Sequence, residues 1–243
     1  MKPTIFSKEL HKTKEYSEKC ARGSEISANK VLSWVKKYIK GKTIDIGCGR
    51  GYFLKGIHKI TGIKPCAVDI NKSFIEKIEK ELGFEAKCAD VDNEIPYPDK
   101  SFDTVFCNQM LEHLISPTLF LRECLRILKN NGTLIVGVPN VYGLHKSSYY
   151  NPAHINYFDS KTLYYTLLSN GFLTERMIYT APHGRLLPFI NSLRYNQFNE
   201  FLKGILFLKK GDVIFAVAKN CPECLKYLKK SWYNHISKLD KIE

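Results

Sequence analysis

No run of about 18 consecutive apolar residues occurs, the minimum for a bilayer-spanning helix, and Met1-Lys2-Pro3-Thr4 brings no apolar export core. The expectation is a cytoplasmic protein with at most peripheral membrane contact. Internal repeats and low-complexity tracts are also missing, so one main domain is expected. A second C-x-x-C pair is absent. Cys221-Pro222-Glu223-Cys224 stands alone, with His235 at a poor spacing, which argues against a four-ligand zinc centre. Of the other cysteines, at 20, 48, 66, 88, 107 and 124, several lie in apparent strands or beside a glycine loop, and they read as reduced thiols packed as small hydrophobes. Acid is scarce beside base: 24 Asp and Glu against 37 Lys and Arg, a formal charge of +13. That balance permits nucleic acid, anionic lipid or acidic substrates and selects none of them. A solvated lysine-rich surface, including the tail from Lys219 to Lys241, is the commoner explanation.

What is present is enough apolar material, 44% of 243 residues, for a sizeable core. Residues 1–23 are polar and weakly periodic, and are expected to serve as a lid. From Ser24 the positions Ala28, Val31, Leu32, Val35, Tyr38 and Ile39 recur at helical spacing. Strands are predicted at Thr43–Ile46, Cys66–Val68, Glu85–Ala89, Phe102–Cys107, Thr133–Val138, Thr174–Tyr179 and Asp212–Ala218. Helices are predicted near Tyr52–Ile60, from a Ser73/Glu76 capping box to Gly83, and over Pro117–Leu128 and Ser160–Leu168. Asn130-Asn131-Gly132 reads as a turn. This cadence of strand and helix implies βαβ units, a mostly parallel sheet with helices on both faces, and ligands at the carboxyl ends of the strands. The domain is placed at 24–218, with 181–211 as a helical insertion and 219–243 as a basic, helical tail.

The most informative stretch is Thr43-Ile44-Asp45-Ile46-Gly47-Cys48-Gly49-Arg50-Gly51-Tyr52, an apolar strand passing into alternating glycines and then a helix. Gly47, Gly49 and Gly51 can take positive φ and bring backbone N–H groups against a ligand. A dinucleotide fingerprint would need a small residue where Tyr52 stands. On the glycines alone an ordinary strand-to-helix turn remains open. Asp69 ends the second strand, where a carboxylate can accept hydrogen bonds from ribose hydroxyls, and Asp90-Val91 follows the third. One such aspartate serves as a cap or turn former just as well; three in register are harder to explain that way.

With G-x-G-x-G behind a strand acid, and Ser101-Phe102-Asp103-Thr104-Val105-Phe106-Cys107-Asn108-Gln109-Met110-Leu111-Glu112-His113-Leu114 further on, the chain resembles the class I S-adenosylmethionine (SAM) dependent methyltransferases. It resembles in particular the group that includes the ubiquinone-biosynthesis O-methyltransferases. The likeness runs over roughly 40–180, through Gly132–Asn140, His154-Ile155-Asn156-Tyr157-Phe158 and Leu163–Phe172. It implies a seven-stranded Rossmann-like sheet with an antiparallel last strand, and SAM held along Asp45, Gly47, Cys48, Gly49, Gly51, Asp69, Ile70, Asp90, Val91 and Asn108. It implies His113 as general base or helix-packing group, Glu112 as its ring-fixing neighbour and His154 as a second candidate.

Some relatives carry a glutamate where Gln109 stands and are proposed to bind a divalent metal. An amide there argues against a tight site, and no metal is expected. Methyl transfer to a small-molecule or lipid-like acceptor, at oxygen, is the leading reading. The charge motivates an RNA methyltransferase instead, but no N-P-P-Y or D-P-P-Y tetrapeptide follows the fourth strand. The apolar and basic stretch Arg185–Lys210 motivates a non-catalytic membrane-surface or partner-binding module. Acceptor pockets are expected from 1–30, Val141–Asn156 and Ala181–Gly211, whose Tyr142, Tyr149, Tyr150, Phe189 and Tyr195, with the adjoining Tyr157, suit an apolar or ring-containing molecule. Oligomeric state is left open.

Overall fold

Segments that read as continuous apolar runs form the middle of one sheet, as expected for strands covered on both faces. The computed structural model describes residues 6–13, 25–142, 151–179, 213–221 and 223. Its strands are β1 (Thr43–Ile46), β2 (Cys66–Asp69), β3 (Ala86–Cys88), β4 (Phe102–Asn108), β5 (Leu128–Pro139), β6 (Phe172–Tyr179) and β7 (Val213–Asn220). They lie in the order β3-β2-β1-β4-β5-β7-β6. The first five pair in parallel, and β7 runs antiparallel between β5 and β6. The expected doubly wound sheet with an antiparallel last strand is the one found.

The α-helices among the described residues are α1 (Phe6–Lys12), α2 (Glu25–Val35), α3 (Tyr52–Thr61), α4 (Lys72–Lys77, continued by a wider turn over Ile78–Leu82), α5 (Pro117–Ile127) and α6 (Ser160–Ser169), with 3₁₀ turns at Lys36–Tyr38 and Leu111–His113. Because side chains alternate along a strand, β4 feeds two layers. Val105 and Cys107 pack with Phe120, Leu121 and Cys124 of α5 and with Leu163 and Leu167 of α6. Phe106 points the other way, onto Leu32, Trp34 and Val35 of α2 and Ile57 of α3. Truncating a fully buried aromatic such as Phe106 costs about 3–5 kcal/mol. From β1 the chain goes outward to β2 and β3, then returns to β4 on the other flank. Strand order therefore reverses between β1 and β4, and the crevice at their carboxyl ends is the ligand position of such sheets.

Three local details differ from expectation. Helix α4 starts before the S-x-x-E pair, because Asn71 is the cap: its Oδ1 accepts from the Ser73 N–H at 3.0 Å. The Asn130–Gly132 turn is absorbed into β5 as an irregularity, with Asn131 at φ 60° and the register shifting opposite Phe102–Thr104. Strand β7 holds it there: Lys219 Nζ donates to the Asn131 carbonyl at 3.1 Å, and Asn220 accepts from the Asn131 N–H at 3.1 Å. Within the polar segment 1–23, α1 is a formed helix. The predicted insertion 181–211 and most of the tail 219–243 lie outside the described residues. Among the described residues no helix is long and apolar enough to cross a membrane.

Candidate active site

The glycine loop closes on itself before it meets a ligand. The N–H groups of Gly47 and Cys48 donate to the Val68 carbonyl at 2.8 and 3.2 Å, and Gly51 N–H donates to Cys48 O at 2.9 Å. Gly47, Gly49 and Gly51 have φ of 74°, 51° and 75°, a region that disfavours any side chain. Their surroundings separate them. A Cβ on Gly51 would press on Leu54, Ile78 and Leu82 at 3.1–3.2 Å, so that glycine permits helix packing. A Cβ on Gly49 would meet nothing within 4 Å, because Gly49 borders an open cleft of about 800 Å³, solvent at its mouth included.

Asp69, at the end of β2, fastens the loop. Its Oδ2 accepts from Gly49 N–H and its Oδ1 from Asn71 N–H, both at 2.8 Å. Burial raises its pKa, opposed by those two N–H groups. Each oxygen keeps a second lone pair for a ligand. Ile70, Phe74, Val91, Met110 and Leu114 give the cleft apolar surface beside Asp69 and Asp90, a combination suited to a flat heterocycle carrying hydroxyls. Of the sequence candidates, Gly47, Gly49, Asp69, Ile70, Asp90, Val91 and His113 line this cleft. Asp45, Cys48 and Gly51 lie buried behind it. Asn108 ends β4 without lining it, its Oδ1 buried without a hydrogen-bond partner. The Cys48 thiol is pushed well up by burial and stays protonated. Asp45 is 1% exposed, its Oδ2 has no partner, and burial, reinforced by the charge of Asp69, raises its pKa to about 8.

The other end of the cleft is built by the short 3₁₀ turn Leu111–His113 after β4. Segment 151–158 is clamped to that turn: Ile155 and Asn156 N–H donate to the Glu112 carbonyl at 2.9 and 3.1 Å, and Asn156 Nδ2 donates to Leu114 O at 2.6 Å. The His113 Nδ1 lies 2.9 Å from the Ala153 carbonyl. A carbonyl only accepts, so Nδ1 carries the hydrogen and Nε2 of the neutral ring keeps its lone pair. Burial, and secondarily the neighbouring His11 and His154, lower the His113 pKa to about 4, against the pull of the Ala153 bond. Its ring stands edge-on to His11 at 4.6 Å and to His154 at 4.8 Å.

Glu112 is 1% exposed, neither carboxylate oxygen is hydrogen-bonded, and burial raises its pKa to about 8. Both side chains are therefore neutral near pH 7, and the 4.0 Å approach of His113 Nε2 to Glu112 Oε1 is not an ion pair. Glu112, His113 and His154 place one ligand atom each within 4.8 Å of one another, two imidazoles and a carboxylate of the kind borderline divalent ions accept. Sequence reasoning did not find Lys8, His11, Phe74 or Asp92 in the cleft wall. Only Asp92 carried a signal, the repeat Asp90-Val91-Asp92.

Residues 44–136 match the family described as "Methyltransferase domain". A probable S-adenosylmethionine-dependent methyltransferase of Mycobacterium tuberculosis is 30% identical over 140 residues, 55% of this chain and 49% of that protein. A ubiquinone biosynthesis O-methyltransferase of Xanthomonas oryzae pv. oryzae is 28% identical over 104 residues, 41% of this chain and 43% of the relative. The chain thus spans about half the length of the curated relatives it matches. The crystal structure of a SAM-dependent methyltransferase from Archaeoglobus fulgidus has a TM-score of 0.62 and 26% identity, covering 83% of this chain and 97% of that one.

Proposed function

We propose, on the premise that residues 44–136 are a class I SAM-dependent methyltransferase domain, that this chain transfers a methyl group from SAM to an oxygen of a small-molecule or lipid-like acceptor. The observation that carries the reading is the glycine loop fastened to Asp69 at the head of an open cleft. SAM supplies an activated methyl group on a sulfonium, which leaves the protein to bind, orient and move one proton. Gly47 and Gly49 give the ligand access to backbone, the free lone pairs of Asp69 take hydroxyls, and Asp90 with Val91 borders the ring. Asp45, buried with an unsatisfied oxygen, is the group that gains most from a cationic donor placed near the loop.

At the other end His113 Nε2 accepts the acceptor's proton. A base whose pKa lies near 4 is unprotonated throughout the physiological range but weakly basic. It is matched to an acidic hydroxyl such as a phenol rather than to an aliphatic alcohol. Residues Arg185–Lys210, outside the described residues, are proposed to border the acceptor and touch anionic lipid; vesicle flotation at low salt tests that contact.

Calorimetry with SAM and its demethylated product, S-adenosylhomocysteine, should show one site per chain. Silence with both, alongside binding of NAD, would overturn the reading. Labelled SAM offered with phenolic and aliphatic acceptors then tests the oxygen class.

A further inference from the structure

One wall of the cleft comes from outside the segment that the methyltransferase family matches. Helix α1 sends Lys8 and His11, one turn apart and so on one face, into the cleft lining. Lys8 Nζ lies 2.7 Å from Asp90 Oδ2 and 3.0 Å from Asp92 Oδ2, with the Lys8 side chain 14% and that of Asp92 6% exposed. Asp92 also accepts from the N–H groups of Ile115 and Ser116, at 3.2 Å each. Lys8 thus ties α1 both to the loop after β3 and to the chain just beyond His113. The His11 carbonyl accepts from Asn71 Nδ2 at 2.8 Å, a tether to the loop after β2, while its ring rests against His113. Contacts from one short helix to the loops of three successive strands make a roof over the crevice.

We propose that Lys8 is a positioning residue for the cofactor: its ammonium, bridging Asp90 and Asp92, latches α1 over the cleft, so that cofactor exchange and the seating of His11 on His113 are coupled. Without that cation the two carboxylates face each other with no counter-ion, and the bond from Asn71 to the His11 carbonyl is a neutral tether in place of an ionic one. A partly buried ion pair of this kind is screened by salt less than an exposed one, but it is screened. The proposal rests on the SAM reading above, and the experiment separates the two.

S-adenosylhomocysteine binding and release are measured on the wild-type chain, Lys8→Met and Lys8→Arg. No binding by the wild type would sink the cofactor reading itself. With binding present, Lys8→Met should weaken affinity about tenfold and speed release by a similar factor, whereas Lys8→Arg, able to span two carboxylates, should stay within about threefold. Raising salt to about 0.5 M should accelerate release from the wild type and leave Lys8→Met unchanged. Trypsin cleavage after Lys12 or Lys14 should be slowed by the ligand in the wild type but not in Lys8→Met. Equal affinity, equal release and equal cleavage in a folded Lys8→Met chain would overturn the latch. Should that variant not fold, salt-independent release from the wild type would overturn it equally.

Discussion

At the β2 end of the cleft Asp69 has both carboxylate oxygens bonded by backbone N–H groups, from Gly49 and Asn71 at 2.8 Å. At the β4 end Glu112 is more deeply buried and has neither oxygen bonded. The same functional group does two different things. Asp69 is spent on geometry: it fixes the loop whose glycines must approach a ligand, and bonding to N–H groups helps it remain an anion. At Glu112 burial outweighs the pull of its own backbone N–H toward the anion and keeps the carboxyl protonated, next to an imidazole that burial keeps unprotonated. One end of the cleft is a hydrogen-bonded cradle, and the other sets a buried, neutral acid beside a neutral imidazole.

The largest effect that would break this comparison is loss of the base. His113→Ala should lower turnover by about 10²–10⁴-fold while SAM affinity holds, measured on one sample by steady-state rate and calorimetry. Normal turnover would pass the role to His154. At the cradle, Gly49→Val places a branched side chain at φ 51° in the cleft, and should weaken SAM by roughly a hundredfold or more, about 2.7 kcal/mol, in a folded chain. Asp69→Ala removes a carboxylate that serves loop and ligand together, and should cost about 1.5–3 kcal/mol for each charge-assisted bond to the cofactor. Unchanged affinity would confine Asp69 to the loop.

The subtlest test is pH. The Glu112 carboxyl binds its proton more tightly in the folded chain, at about 8 against 4.5. Its contribution to stability is therefore complete below about pH 4.5 and is lost as pH rises through 8. Asp45 acts in the same direction. His113 acts in the opposite one, its contribution being present above 6.5 and lost as pH falls through 4. Glu112→Gln should flatten the alkaline decline, gaining on the wild type by about 1–3 kcal/mol between pH 5 and 8 in denaturant titrations. A constant difference across that range would show Glu112 ionised in the native state.

Much of the cradle was legible in the chain. Alternate glycines after Thr43–Ile46, an acid closing Cys66–Asp69 and the apolar run Phe102–Cys107 are each contained within a few residues, and each carries its own conformational preference. Local signals misled where a distant partner intervened. The Ser73/Glu76 pair has the form of a capping box, yet Asn71 caps the helix while its amide reaches the His11 carbonyl, 60 residues away in sequence. Asn130-Asn131-Gly132 has turn chemistry, but Lys219 and Asn220 draw it into the sheet.

The sequence by itself determined the order of strands and helices, the glycine loop and the strand-end acids, because hydrophobic period and backbone tolerance are properties of neighbouring residues. Only the tertiary structure decided that Lys8 meets Asp90 across 82 residues and that the His113 Nδ1 meets the Ala153 carbonyl across 40. It alone decided that the Glu112 carboxyl is buried with neither oxygen in a hydrogen bond, since desolvation and pairing depend on what the whole chain packs around a group, and no local pattern encodes that.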